Sequence, residues 1–319
     1  MSNAPQSPAV GSRLAGRLLA VSVSPADDLP RLGHPPGQLN QALQALLVPL
    51  VSEGARIAYG GRVHARVHNY TLFISNQLAE AYRRLDQAPG SRPFVHFLAL
   101  HVFQNTPAAE LFAHLQRLAP YGEIWVTGDA GVLATLAAVS PESDQVAACS
   151  GCGLDAATDL QSGHGLAGLQ SLASVQALRS MPVPHPSASY SIMRQQMAER
   201  CHARVQLGGR KSDFRGSISG LCEEALLTIA AGRPLYVLGG FGGASRDIAA
   251  ELGLIDQDAC VPRVSQPGET RYADGLQRLR DVRPAFEALF APRQMPALRE
   301  LARTESLSDA PELLMTLLT

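Results

Sequence analysis

The chain has 319 residues, of which 46% are apolar, so it can bury the core of one large domain or two ordinary ones. Its 27 basic and 28 acidic residues nearly cancel, which argues against an extended surface for nucleic acid or membranes. Residues 1–16 lack the apolar segment of a signal peptide, and no later stretch is apolar over a membrane-spanning length. We therefore expect a disordered leader and a cytoplasmic protein.

The chain alternates short apolar strands with amphipathic helices. In the first half, strands are predicted at 17–24, 55–61, 92–100 and 122–128, and helices at 36–54, 69–84 and 107–119. In the second half, helices are predicted at 189–201, from Gly220 and at 244–253, and strands at 203–209 and 234–240. Strands that alternate with helices, and that are apolar throughout rather than apolar at every second residue, are typical of a parallel sheet covered on both faces. The sequence therefore predicts a Rossmann-like α/β domain with an open, mostly parallel sheet and helices on both faces.

Two segments depart from this pattern. Residues 140–189 are rich in Ser, Ala, Gly, Pro and His, with one predicted helix at 166–180. We interpret them as an insertion or lid within a domain that spans residues 17–255. Residues 256–319 are predicted to be a helical extension that packs on the domain or on a partner. Its apolar positions suit either alternative: Leu298, Leu301, Leu307, Leu313 and Leu314.

The five cysteines are an odd number and include one C-x-x-C pair, Cys149 and Cys152. A disulfide framework is therefore not indicated. A zinc site would need two more ligands at suitable spacing, and none lies nearby. We expect no metal site, and we interpret the pair as small residues in a loop.

Four turns that follow predicted strands are of interest, and three of them are rich in glycine. Because the carboxyl ends of parallel strands meet at one sheet edge, these turns should gather there. They are Ser24-Pro25, Gly60-Gly61-Arg62, Gly208-Gly209-Arg210 and Gly239 to Gly243. Glycine allows backbone N–H groups to approach an anion, and arginine can clamp a phosphate. The pattern predicts a site for a nucleotide-like ligand, although the G-x-G-x-x-G and P-loop fingerprints are absent.

Two adjacent carboxylates, Glu223 and Glu224, lie in the first turn of the helix that begins near Gly220. The helix dipole favours a carboxylate there without any ligand. Adjacent helical residues point about 100° apart, so only one of the two can face a pocket. That residue could bind ribose hydroxyls or act as acid or base at a glycosidic carbon. His64 and His68 could line the same pocket, whereas His96 and His101 are more typical of core or edge positions.

Three segments, YGGR (59–62), GGRKSDFRGSISGLCEEAL (208–226) and PLYVLGGFGGASRDIA (234–249), resemble the SLOG superfamily. These are Rossmann-like domains related to LOG phosphoribohydrolases and to DprA. The resemblance covers about residues 17–255 and is closer to prokaryotic branches from predicted nucleotide signalling and antiphage defence. It implies a pocket for an ADP-ribose-like, NAD-derived or cyclic-nucleotide ligand. The implied ligand-binding residues are Ser24, Gly60, Gly61, Arg62, Gly209, Arg210, Arg215, Gly220, Glu223, Glu224, Gly240, Phe241 and Gly242.

The resemblance leaves catalysis open. LOG enzymes carry P-G-G-x-G-T-x-x-E where this chain has Gly216 to Glu224, which implies N-glycosidic cleavage by Glu224 or Glu223 together with Arg210 or Arg215. Ser217 and Ile218 replace the two glycines that cradle phosphate in LOG, and this change favours binding over hydrolysis. The alternatives are a ligand sensor, a nucleoside 5′-monophosphate phosphoribohydrolase, and a scaffold whose pocket has decayed.

The same resemblance sets expectations about partners. A sensor would act through a separate effector protein, and a homodimer is implied because LOG relatives dimerise. We expect no cofactor other than the nucleotide-derived ligand, and neither nucleic acid nor a membrane as a partner.

Overall fold

The computed structural model describes residues 12–35, 37–63, 69–84, 92–119, 121–138, 166–167, 177–214, 216–261 and 270–319. The strands in these ranges are β1 (Leu18–Ser24), β2 (Arg56–Gly60), β3 (Phe94–Ala99), β4 (Gly122–Gly128), β5 (Gly131–Ala138), β6 (Leu166–Ala167), β7 (Ala203–Gly208) and β8 (Leu235–Leu238). The α-helices are α1 (Gln38–Ser52), α2 (Tyr70–Arg84), α3 (Leu100–Asn105), α4 (Ala108–Leu118), α5 (Pro186–Arg200), α6 (Gly220–Ala230), α7 (Gly243–Glu251), α8 (Arg271–Asp281), α9 (Arg283–Glu287), α10 (Met295–Arg303) and α11 (Asp309–Leu318).

The strands form one sheet in the order β6-β5-β4-β3-β2-β1-β7-β8. The six strands from β4 through β3, β2, β1 and β7 to β8 are parallel to one another, whereas β5 is antiparallel to β4 and β6 is antiparallel to β5. The predicted Rossmann-like α/β fold is confirmed.

Apolar spacing explains how the helices attach to this sheet. In α1 the buried side chains include Leu39, Leu43, Leu46 and Leu50, which recur every three or four residues and therefore lie on one face. The helix ends before Gly54, whose φ of 85° is favourable for glycine and stops the helical path. Strand β3 is buried at every residue, as expected for a strand covered on both faces.

The strand order reverses between β1 and β7. From β1 the chain proceeds outward through β2, β3 and β4 on one side, and it later returns to add β7 and β8 on the other. The carboxyl ends of the two central strands are level, because Ser24 pairs with Gly208. Such a switch point is where open α/β sheets usually bind ligands, so the fold brings two of the predicted turns to that position.

The helices after residue 270 pack on the same chain. Helix α10 contacts β8, and α11 contacts α1. The side chains of Leu298, Leu301 and Leu314 are buried, and the Tyr236 hydroxyl donates to the Leu317 carbonyl over 3.2 Å. These three leucines fill the core of their own chain, whereas Leu307 and Leu313 are only partly buried.

The structure differs from the sequence predictions in three segments. Residues 131–138 form β5, and residues 100–105 form α3; neither was predicted. The helix predicted at 166–180 is wrong at residues 166–167, which form β6 through pairing of Ala167 with Ala137. Residues 177–180 are helical, whereas the rest of that helix and most of the proposed lid, with Cys149 and Cys152, fall outside the described residues.

Strand β5 was not predicted because its sequence, GVLATLAA, consists of small and apolar residues in which polar and apolar positions do not alternate. Its conformation is decided by pairing with β4. No helix in the described ranges combines the length and apolarity needed to cross a membrane.

Candidate functional site

The turn after β7 lies directly against the end of β1. Gly209 N–H donates to the Ser24 carbonyl over 2.9 Å, and Arg210 N–H donates to Ser24 Oγ over 3.1 Å. Gly208 and Gly209 have φ values of 65° and 107°, which favour glycine and let the chain turn sharply at this point. The turn therefore delivers Arg210 to the switch point.

The Arg210 side chain is exposed and forms no ion pair with any residue that the structure describes. The charge of Arg210 affects Tyr70 at the start of α2. Burial raises the pKa of the Tyr70 hydroxyl to about 12, and the positive charge of Arg210 opposes part of that rise. Arg210 is thus a solvated cation at the crevice. Arg215, its alternative from the sequence, lies outside the described residues.

The two carboxylates of α6 share one arginine, Arg194 of α5. Glu223 accepts hydrogen bonds from Ser191 Oγ and Arg194 Nη1. Glu224 Oε1 lies 3.3 Å from Arg194 Nε. The side chains of Arg194, Glu223 and Glu224 are only 12–14% exposed, so this is a largely buried cluster. Arg194 was not among the predicted site residues, and the arginine expected beside the carboxylates was Arg210 or Arg215.

The other oxygen of Glu224 faces the sheet. Glu224 Oε2 accepts hydrogen bonds from Arg204 Nη1 over 2.8 Å and from Ser22 Oγ. Arg204 is only 1% exposed, and its Nε donates to Thr228 Oγ1 over 2.8 Å. Glu224 therefore neutralises a cation inside the fold, whereas Glu223 faces α5.

This polar core is not fully paired. Arg204 Nη2 and Gln206 Oε1 are buried and have no hydrogen-bond partner among the described residues. Both side chains belong to β7, next to the switch point. Unpaired buried polar atoms are costly, so such positions are typical of sites that bind water or a ligand.

The segment before α6 is shaped around Arg194. A Cβ atom on Gly220 would lie 2.7 Å from Arg194 Nη2, so glycine allows the guanidinium to rest against the first turn of the helix. Ile218 is 4% exposed and packs in the core beside Gly275 of α8. Of the two residues that replace glycines of the LOG pattern, only Ser217 is exposed.

The glycine-rich turn after β8 is packed against the chain itself. A Cβ atom on Gly240 would overlap the Thr304 carbonyl oxygen, and Phe241 is fully buried. The ring nitrogen Nε2 of His34 lies 3.0 Å from the Gly240 carbonyl oxygen. Gly240, Phe241 and Gly242, which were predicted to bind a ligand, are therefore buried positions in this structure.

The start of α7 is already capped by a carboxylate of the protein. Gly243 N–H donates to Asp28 Oδ1 over 2.7 Å, and Asp28 Oδ2 lies 3.0 Å from Lys211 Nζ. Lys211 Nζ also lies 2.8 Å from Asp247 Oδ1. The charge that we expected from a ligand at this helix is supplied by Asp28, and Lys211 is paired as well.

A cleft of about 460 Å³ lies beside the carboxyl ends of β2 and β3; we call it the β2–β3 cleft. Its lining residues are Arg62, Val63, His101, Val102, Asn105, Thr106, Pro107, Glu110, Pro186 and Tyr190. Of these, only Arg62 was among the predicted ligand-binding residues.

Two aromatic rings meet in the β2–β3 cleft. The ring centroids of His101 and Tyr190 are 4.6 Å apart at an interplanar angle of 80°. Arg62 Nε donates to the Tyr190 hydroxyl over 3.0 Å. Burial, and next the charge of Arg62, lower the pKa of His101 below its ordinary value, which favours the neutral imidazole.

Gly60 and Gly61 lie beneath this region. A Cβ atom on Gly60 would lie 2.7 Å from Met193 Cε of α5. The Gly61 carbonyl oxygen lies 3.2 Å from His96 Nε2, a buried ring whose Nδ1 lies 3.0 Å from His114 Nε2. These glycines support the turn that carries Arg62. His64 and His68 fall outside the described residues.

Helix α5 joins the cleft to the carboxylates. Tyr190 lines the β2–β3 cleft, and Arg194 lies one turn later with its Cζ 5.7 Å from the Tyr190 ring centroid. The arrangement can hold a planar group against Tyr190, a polar group near Glu223 and an anion near Arg210.

The sequence matches the profile of a known protein family over most of its length. A sequence profile described as SLOG cluster2 matches residues 13–148 and 157–281, which together make up most of the chain. The protein belongs to the SLOG family. The SLOG match includes both central strands, α5 and the Glu223-Glu224 pair, and it fits a domain that binds or processes a nucleotide-related ligand. No curated protein and no solved structure gives a significant match.

Proposed function

We propose that this SLOG protein binds a nucleotide-derived ligand of the ADP-ribose, NAD-derived or cyclic-nucleotide type, with a phosphate group at the switch point between β1 and β7. The observation that carries the proposal is the exposed side chain of Arg210, whose backbone N–H is held against Ser24 Oγ by the Gly208-Gly209 turn. An arginine that pairs with no carboxylate in the described part of the chain, next to a tight glycine turn, suits a phosphate oxygen.

The other cations near this edge are less available. Lys211 is paired with Asp28 and Asp247, and Arg194 is paired with the carboxylates of α6. Arg62 is exposed and contacts the Tyr190 hydroxyl, so it is the second candidate. Since β7, β1 and β2 are consecutive in the sheet, the two arginine-bearing turns are two strand spacings apart, about 10 Å. A ligand with a pyrophosphate or two sugars could contact both.

The biological setting is part of the same proposal and comes from the family resemblance. We place the protein in bacterial signalling or antiphage defence, in the cytoplasm, where it acts as a sensor or sink for its ligand. A sensor would pass the signal to a separate effector protein.

Thermal unfolding with AMP, ADP-ribose, NAD and cyclic ADP-ribose isomers tests the proposal. A ligand present at about 100 times its Kd should add about 2.7 kcal/mol of stability. The Arg210→Ala variant should lose this stabilisation while keeping the stability of the free protein. The matched control is Arg299→Ala, which removes an exposed arginine from α10 and should respond like the unmodified protein. If none of these ligands stabilises the unmodified protein, the proposal is wrong.

A second candidate function is hydrolysis of an N-glycosidic bond. Glu223 favours it, because this carboxylate is held by Ser191 and Arg194 on the helix that also lines the β2–β3 cleft. Chromatography of the same mixtures separates the two functions: an intact ligand supports binding alone, whereas release of free base that Glu223→Gln abolishes supports the enzyme. Glu223 is the better test residue, because Glu224 also neutralises Arg204.

A further inference from the structure

The β2–β3 cleft has walls that suit a flat heterocycle. Val63, Val102, Pro107 and Pro186 supply apolar surface, and the Tyr190 ring supplies an aromatic face. Its volume of about 460 Å³ falls within the range of small-molecule sites. Aromatic rings bind nucleobases by stacking, whatever the base. The cleft therefore has the shape and surface of a base-binding pocket.

Polar groups of the cleft add selectivity. Asn105 Nδ2 donates to the His101 carbonyl over 2.7 Å, which leaves its Oδ1 as an acceptor. Arg62 uses Nε for the Tyr190 hydroxyl, which leaves its exposed terminal N–H groups as donors. His101 Nδ1 is buried without a hydrogen-bond partner among the described residues.

The Asn105 carboxamide carries the Oδ1 acceptor beside Nδ2, whose second N–H is a donor, and this pair matches one edge of adenine, where a ring nitrogen accepts and the neighbouring amino group donates. Guanine presents two acceptors at the same edge. We infer that the β2–β3 cleft is the subsite for the heterocyclic base of the ligand, that it takes an adenine-type base, and that Asn105 and Tyr190 determine this specificity.

The location of the cleft fits a phosphate group at Arg210, and this part of the inference rests on the proposed function. Tyr190 contacts Arg194, and Arg194 contacts Glu223 at the start of α6. A base against Tyr190 places the attached ribose toward Glu223 and leaves the phosphates directed toward the switch point and Arg210.

The test uses two probes that report on different parts of the site. Saturation-transfer NMR with adenosine, which has no phosphate, reports on the base subsite, and titration calorimetry with ADP-ribose reports on the whole site. Asn105→Leu should abolish the adenosine signal and weaken ADP-ribose binding roughly tenfold, because it removes the hydrogen bonds from the amide to the base edge. Ribose 5-phosphate, which has no base, should bind equally well to both forms. The matched control is Gln44→Leu, the same exchange at an exposed amide of α1.

Tyr190→Leu provides a second variant in which the aromatic surface is lost and Asn105 is kept. The inference is overturned if adenosine gives no signal with the unmodified protein, if both variants bind it normally, or if guanosine binds equally well. Binding of ADP-ribose without binding of adenosine would leave the proposed function standing and remove the base subsite. Binding of adenosine that depends on Asn105, without binding of ADP-ribose, would support the base subsite and contradict the proposed function.

Discussion

Arg204 and Glu224 form an ion pair of 2.8 Å that is enclosed between the central strands and α6. Arg204 is only 1% exposed, and a charge so deeply buried must be neutralised. The first role of Glu224 is therefore to permit an arginine inside the sheet. Its neighbour Glu223 has a different environment, because its partners Ser191 and Arg194 both belong to α5.

We expect Glu224→Gln to lower the free energy of unfolding by about 3 kcal/mol, because it leaves Arg204 buried without a counter-charge. Glu223→Gln should cost only about 1 kcal/mol, since Arg194 keeps Glu224 as a partner. Urea unfolding of the two variants measures the difference. Equal losses would contradict the separate roles that we assign to the two glutamates.

Replacement of Gly240 by alanine tests whether the turn after β8 packs against the chain or meets a ligand. A Cβ atom there would overlap the Thr304 carbonyl oxygen, so Gly240→Ala should cost about 3 kcal/mol of stability. Gly232→Ala is the control: its φ of 67° is unfavourable for alanine, but no atom lies within 4 Å, so it should cost about 1 kcal/mol. Near-equal stabilities, with ligand binding lost only in Gly240→Ala, would show that the turn contacts the ligand.

His96 should make stability depend on pH. Burial lowers its pKa to about 4, from the ordinary value of 6.5. Since the folded protein holds this ring neutral, its contribution is complete above about pH 6.5 and is lost as the pH falls toward about 4. Between about pH 7.5 and about pH 5, the unmodified protein should lose about 2 kcal/mol more than His96→Gln. Parallel losses in urea unfolding at the two pH values would show that His96 does not contribute.

Cys201 and Cys222 should resist alkylation in the folded protein. Burial raises the pKa of each thiol to about 12, so little thiolate forms near pH 8, and neither sulfur is accessible. Iodoacetamide followed by peptide mass mapping should find both unmodified in buffer and both modified in urea. Modification of Cys222 in buffer would indicate that α6 opens under native conditions.

Much of the fold could be predicted from the sequence, because the apolar strands and amphipathic helices have strong local patterns. The same patterns predicted that the turns after the strands at 17–24 and 203–209 meet at one sheet edge, whereas the strand order that makes this edge a switch point came from the structure. Arg204 also left a signal, because a charged residue within an otherwise apolar strand needs a partner. The helix that carries Arg194 has polar residues at most positions, and nothing local marks Arg194 as the partner of Glu223.

The turn from Gly239 to Gly243 shows the limit of sequence patterns. Glycine is required both where a backbone approaches a phosphate and where two backbones pack closely. Here the neighbours are Thr304 and Asp28, which lie far away in the chain, so tertiary packing decides between the two roles. The β2–β3 cleft was missed for the same reason, since His101 and Tyr190 meet only in the folded protein.

The central position of β1 also determines when the protein can finish folding during translation. Leu18 N–H bonds to the ring of His202, 184 residues later, and Arg17 bonds to the carbonyl of Leu318, 301 residues later. Strand β1 is synthesised before β7, so the edge of β1 that pairs with β7 has no partner strand until β7 has been made. The crevice between β1 and β7 does not exist during that interval. A nascent chain therefore cannot form the switch-point site until Ala203–Gly208 have been synthesised.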